Sequence, residues 1–327
     1  MLFLNAIRLL LEDFKNVYKI MLYRFVVGII AAALCCAMVL PQMLEIINSD
    51  SAKHLILGVQ EFVSAFFSAD AKALDVAKEI IAGSSKQIMG LLAEKATGFT
   101  LAAVGCIIVY LLRRFADTVC YFTVGSTMDD KMTAYASTPF FSAFVANLGK
   151  ASLYALIYVP VVFIFDAITV LLTLLFFSAS GILLAMFLSI TFIVLMQALK
   201  LTFTGLWMPA MTSGQPLRKA LKSEKGAAKQ QVKMYATYVA AVYMVIILNI
   251  VAAACTFGSA LLLTIPMSFF FFICLQYVYY YTIKGKKYFI SYDRIASNPH
   301  HGDCEHIFDY IDEKDLPSIS NTEEEEK

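Results

Sequence analysis

The sequence predicts an all-α integral membrane protein of about six transmembrane helices arranged as three hairpins, with cytoplasmic interfacial helices and a small helical extracytoplasmic cap. Composition is the first reason. Of 327 residues, 60% are hydrophobic and 16% charged, against ~45–50% and ~25% in soluble domains. Mean hydropathy, at +0.71, agrees. The second reason is that the apolar residues collect into runs of about 20, the length needed to cross ~30 Å of hydrocarbon. The third is the placement of Lys and Arg, which fall between the runs with a consistent sidedness.

Taken in order, residues 1–21 read as an amphipathic helix lying on the cytoplasmic membrane surface. Leu4, Ile7, Leu10, Leu11, Phe14 and Val17 recur at helical spacing, and Arg8, Glu12, Asp13 and Lys15 fall between them. No short basic region stands directly before the first apolar run, and no small-x-small site follows it, so that run reads as a retained span. A transmembrane domain over 22–283 follows. Its spans are expected near 22–40, 89–112, 151–177, 182–206, 234–254 and 260–283. Arg24 is expected to snorkel at the mouth of the first span. Residues 42–88 carry two amphipathic stretches and form the cap, with Asp70 as an N-cap and Gly83-Ser84-Ser85 as an interruption.

Segments 113–150 and 208–233 are expected on the cytoplasmic surface. Trp207 and the tyrosines 277 and 279–281 read as interfacial aromatics. Residues 284–327 read as a polar cytoplasmic tail, disordered at its acidic tip. Ser137-Thr138-Pro139-Phe140-Phe141 and Ser213-Gly214-Gln215-Pro216-Leu217 open their segments alike, with a proline expected at the first helical position. Such a weak repeat fits either a repeat-built transport fold or the ordinary pattern of inserted hairpins.

Lys and Arg number four up to the mouth of the first span (Arg8, Lys15, Lys19 and Arg24), four in 113–150, six in 208–233 and six in the tail, and none in the turns at 178–181 and 256–259. Both termini are therefore expected in the cytoplasm, with the cap outside. The absence of N-x-[ST] sequons points to a bacterial inner membrane. A net charge of +1 gives no electrostatic case for nucleic acid. Segment 208–233 is net +5 and the tail net −5, so the two are expected to attract each other, and the basic segment to attract anionic lipid head groups. Arg113, Arg114, Arg218, Lys219 and Lys222 are the head-group candidates. The cap and the tail are the surfaces left for protein partners.

Asp166 alone among the 25 acidic residues falls deep inside a predicted span, about 22 Å along the helix at 1.5 Å per residue. A carboxylate there must face protein or water. It suits a cation, a proton or a polar head group; equally, it suits a neutral carboxyl hydrogen-bonded for packing. Asn249, Gln197, Lys200 and Gln276 are its candidate partners, although Lys200 is expected to snorkel to the inner surface. His300, His301, Cys304 and His306 are a weak metal-ligand set whose spacing matches no standard site. Cysteines occur without a CxxC pair, and no HExxH, GxSxG or Walker motif is present, so no cofactor is expected and there is no positive case for an enzyme. A transporter and a non-transporting membrane scaffold are both left open. Reporter fusions placed before Met1 and after Lys327 are expected to report the same, cytoplasmic side; opposite sides would overturn the hairpin reading.

Overall fold

The computed structural model describes residues 2–68, 71–179, 182–222, 228–292, 294–296 and 304–306. Its helices are α1 (Leu2–Glu12), α2 (Lys15–Ile47), α3 (Asp50–Ser68), α4 (Ala71–Glu94), α5 (Ala96–Ala134), α6 (Phe140–Ala179), α7 (Ile182–Thr204), α8 (Trp207–Thr212), α9 (Leu217–Leu221), α10 (Ala228–Thr256) and α11 (Leu261–Lys284). Three short strands follow: β1 (Tyr288–Ser291), β2 (Arg294–Ala296) and β3 (Cys304–His306). Among the described residues six helices are long and apolar enough to cross a membrane, as the sequence predicts for a multi-pass helical membrane protein. The chain divides into two compact units, residues 25–114 and the remainder.

The smaller unit contains α3 and α4 packed antiparallel. Gly58 lets them approach, because a Cβ there would lie 2.9 Å from Ile80 Cγ2. Near the far end of the pair, Ser51 Oγ donates to Gln87 Oε1 at 2.9 Å. Helix α4 runs unbroken through Gly83–Ser85, contrary to the expected interruption; Ser84 is buried there, which favours continuing the helix. The expected Asp70 cap lies outside the described residues. Helix α2 continues past Pro41 to Ile47, beyond the expected end of the first span. The break before the second span falls at Lys95 rather than near Met89, and Lys95 pairs there with Glu45. Small residues form the α2–α5 seam: Gly98 faces Gln42 and Gly105 faces Met38. Missing side chains let helices approach closely where lipid supplies no hydrophobic drive.

The larger unit is built around the C-terminal half of α11. Phe270, Cys274, Leu275, Tyr277, Val278 and Tyr279–Tyr281 are all at most 2% exposed. The interfacial belt expected of these tyrosines is therefore corrected: they are core. Trp207, at 5% exposed, is core as well. Around α11 pack α1, through Ala6 and Leu9, the first half of α10, through Met234 and Tyr238, and the end of α5, through Phe122, Met128 and Met132. Residues 115–134 were expected on the surface after the second span closed at Arg113-Arg114. Instead α5 continues to Ala134, and 117–129 lie buried except for Tyr121. At 39 residues α5 is ~58 Å long, nearly twice the hydrocarbon thickness. Its excess length has protein around it.

Several hydroxyls brought into that core find partners, as most buried polar groups do, although the Tyr238 hydroxyl is buried without one. Tyr281 donates to Asp129 Oδ1 at 2.7 Å. Tyr277 and Tyr280 meet the hydroxyls of Thr212 and Ser213 at 2.9 and 2.7 Å. Helix α8 is closed by Gly214, φ 87°, with the Gln215 N–H on Ala210 O and the Gly214 N–H on Met211 O, a Schellman closure that needs a left-handed residue. Gly285, φ 63°, closes α11 in the same way on Tyr281 and Thr282.

Pro139 and Pro216 each stand one residue before the first helical position expected for them, and the carbonyl of each accepts the first helical bond, from Ala143 and Ala220 at 3.0 Å. Helix α1 is not solely a membrane-surface element: its buried face packs on α11 and β1, and Asn5 Nδ2 donates to Tyr288 Oη at 3.0 Å. The start of the expected polar tail forms an antiparallel sheet in the order β1-β2-β3. Alternation explains it, since Tyr288 and Ile290 turn inward at 3% and 1% exposed.

Tyr281→Phe removes the donor to Asp129 and is expected to cost about 1.5–3 kcal/mol, the range for hydrogen bonds to charged groups. Tyr279→Phe, whose hydroxyl lies a long 3.4 Å from that of Thr237, is expected to cost less, about 0.5 kcal/mol, the low end of the range for a neutral hydrogen bond. Thermal unfolding in detergent, followed by size-exclusion fluorescence, compares the two.

Candidate functional site

Asp166 lies on α6, and Gln197 and Lys200 lie on α7, its antiparallel neighbour. Lys200 Nζ donates to Asp166 Oδ1 at 2.9 Å, and Gln197 Nε2 donates to the same oxygen at 3.3 Å. The side chains are 11% and 20% exposed for Lys200 and Asp166. Lys200 is thus an ion-pair partner, and its expected escape to the inner surface is corrected.

Backbone direction gives the reason. Every Cα–Cβ bond in a helix tilts toward the helix N-terminus. Helix α7 begins at Ile182, so Lys200 is aimed along the helix toward that end. The N-terminus of α6 is at the opposite end, so Asp166 leans the other way. The two side chains therefore close an axial offset of about five residues, ~7 Å at 1.5 Å each. Gln197, one helical turn nearer Ile182 than Lys200, stands almost level with the carboxylate. Thr204 Oγ1 donates to Lys200 O at 2.9 Å, which fastens the turn of helix that carries the lysine.

Asn249 is placed elsewhere. Its Nδ2 donates to Val245 O at 2.8 Å and to Ser268 Oγ at 3.1 Å, and its Oδ1 accepts from Thr264 at 2.8 Å. It joins α10 to α11 and is not the partner of Asp166; similar depth in the sequence does not imply the same helix face. Gln276 packs against Gly205, where an added Cβ would lie 3.4 Å from its Cγ.

Of the head-group candidates, Arg114 donates from Nε to Tyr110 Oη at 2.8 Å, one turn away on the same helix. The guanidinium of Arg113 rests over the bare backbone at Gly28. Arg218, Lys219 and Lys222 are exposed around the buried Ala220. Arg24, expected to snorkel, instead lies 3.6 Å from Asp117 and 4.3 Å from the centre of the Phe269 ring.

His300 and His301 lie outside the described residues. Cys304 and His306 belong to β3, opposite Ala296 and Arg294. Among the described residues no three His, Cys, Asp or Glu are grouped to hold a metal ion. The docking expected between tail and basic segment falls largely on residues outside those described.

Sequence reasoning missed a second polar cluster. At the α1–α2 corner Asn16 Nδ2 donates to Asp13 Oδ2, and Lys19 Nζ donates to Asn16 Oδ1 at 2.7 Å. Lys131 of α5 lies 3.7 Å from Asp13 Oδ1. Tyr135, φ 50°, ends α5 there and donates to Glu12 at 2.9 Å. Burial, then the Glu12 hydrogen bond, push the Tyr135 hydroxyl pKa up. Nothing in the spacing of residues 13 and 131 signals this meeting; only the packing of α1 and α5 around α11 produces it.

Asp166→Ala strands the Lys200 ammonium and is expected to cost roughly 3–5 kcal/mol, as for other buried pairs broken on one side. Asp166→Ala combined with Lys200→Met is expected to recover most of that loss, read as the unfolding midpoint in detergent. Comparison with protein-family models, with curated proteins and with solved structures gives no match.

Proposed function

We propose that this multi-pass membrane protein moves an ion, small molecule or lipid across the bilayer, with the Asp166–Lys200 pair as the charged element of its pathway. The observation that carries the reading is an ion pair, 2.9 Å long and only partly exposed, inside a hairpin of two candidate membrane helices. Well-packed apolar residues often do as well or better than a buried ion pair for stability, and ionisable groups at membrane depth point to function by default. A carboxylate sharing one oxygen between Lys200 and Gln197 can release the ammonium when a proton or cation arrives. The membrane is a bacterial inner membrane with both termini in the cytoplasm, where Arg218, Lys219 and Lys222 meet anionic lipid.

The test is flux in proteoliposomes, with a trapped pH dye under a potassium diffusion potential and, in parallel, dithionite quenching of a fluorescent phospholipid. Wild type is expected to give a signal in one assay. Asp166→Asn is expected to lower it at least tenfold, and Asp166→Asn with Lys200→Met is expected to stay low although folded. Full flux in that double variant would reduce the pair to packing.

A second reading, a non-transporting scaffold, is supported by the cap, where Phe67 is 83%, Met89 66% and Val76 56% exposed, apolar surface of the kind that binds partners. No wild-type flux in either assay, together with loss of partner capture when residues 50–94 are replaced by a short linker, would favour it.

A further inference from the structure

We propose that the cleft between the α1–α2 corner and the end of α5 is a binding site for a phosphate group that carries, or adjoins, a hydroxyl donor. This stands independently of Asp166 and Lys200. The cleft has about 120 Å³ of space and is lined by Asp13, Asn16, Lys15, Lys19, Lys131 and the loop that ends at Thr138. A single water needs only ~10–15 Å³ of such space, so the cleft has room for a polyatomic anion. Three lysines against one carboxylate leave the lining two positive charges in excess. Glu12 and Asp130 stand behind the rim and already accept from Tyr135 and Thr138, at 2.9 and 2.6 Å; neither lines the space.

The hydrogen-bond inventory is what selects the ligand. Asp13 is 4% exposed, and its Oδ1 is buried without a hydrogen-bond donor. The ammonium groups of Lys15 and Lys131 stand 3.8 and 3.7 Å from that oxygen, outside hydrogen-bond range. Lys19 is turned to Asn16, and Asn16 to the other oxygen of Asp13. The cleft therefore presents ammonium donors that Asp13 does not consume and, beside them, a buried acceptor that lacks a donor. A simple anion satisfies the first and repels the second. Hydrogen phosphate satisfies both, with charged oxygens on the ammonium groups and its P–OH on Asp13. A glycerol phosphate does so with a carbon-borne hydroxyl. The same chemistry is available from a soluble phosphate ester or from a phosphatidylglycerol head group.

The full chain, purified in a maltoside detergent, is titrated by calorimetry with inorganic phosphate, glycerol 1-phosphate and, as control, sulfate, which has no O–H at neutral pH. Saturable binding of both phosphates at least tenfold tighter than sulfate is expected. Lys131→Met should weaken phosphate at least tenfold. Lys15→Met, whose side chain is 65% exposed and so spares the fold, should weaken it measurably. Asp13→Asn should bring sulfate and phosphate together. Nanodiscs of phosphatidylglycerol and of phosphatidylcholine separate the sources: glycerol 1-phosphate affinity lost only in the former assigns the site to the lipid, and affinity kept in both assigns it to a soluble ester. Equal binding of sulfate and phosphate by wild type, or unchanged phosphate binding in both lysine variants, would overturn the proposal.

Discussion

The burial of the aromatic C-terminal half of α11 is the constraint on which the larger unit depends. Each buried aromatic removes ~150–250 Å² from water, and Phe270, Tyr277, Tyr279, Tyr280 and Tyr281 do so within about three turns. No single neighbour can cover such a helix on all sides. Elements distant in the chain are drawn around it: α1 from the N-terminus, the end of α5, α8, and the first half of α10. Tyrosine imposes a second demand, because buried hydroxyls are for the most part hydrogen-bonded, and Tyr238 is an exception here. Asp129, Thr212 and Ser213 meet it at 2.7–2.9 Å. Those bonds fix the rotation of α5 and α8 about α11, which apolar packing alone would leave loosely specified.

The remainder of each long helix obeys a different rule. In lipid the backbone must satisfy its own hydrogen bonds, so only unbroken helices remain, and their side chains need not be covered by protein. Leu101 at 74%, Leu112 at 62%, Leu171 at 65% and Leu174 at 64% exposed are ordinary for hydrocarbon-facing positions. Exposed leucine at one end of a helix and buried tyrosine or methionine at the other mark where a single element passes from one solvent to the next. Helices α5 and α6 are 39 and 40 residues long because each serves both.

Polar chemistry gathers where helix direction compels it. Antiparallel neighbours aim their side chains toward each other along the axis, which is why Lys200 meets Asp166 rather than the membrane surface. The corner between α1 and α2 illustrates the complementary case. There the chain turns at Asp13 and Phe14, and the carboxylate is buried before its donors are complete. A membrane hairpin and a helix corner thus yield two charged constellations of the larger unit by unrelated geometry.

Much of the architecture was legible from composition and spacing. Hydrophobic run length is a one-dimensional property set by bilayer thickness, so six spans could be read directly, and amphipathic spacing and local turn residues gave the helical pair before the second of them and the turn near 258. Asp166 stood out for the same reason, as an isolated charge within an apolar run. Its neighbours could be proposed from depth but not chosen, since Gln197 and Lys200 share its face while Asn249 bonds Thr264 and Ser268. Facing is a matter of helix rotation, and rotation is set by packing between helices far apart in the chain. The same cause explains Tyr277–Tyr281: aromatic residues beside lysines look alike whether they meet head groups or a protein core, and only the convergence of α1, α5, α8 and α10 on α11 made them core. Residues 13 and 131 have no periodic relation at all. How many helices cross the membrane follows from local hydrophobicity; which side chains meet follows from contacts that exist only once those helices have assembled.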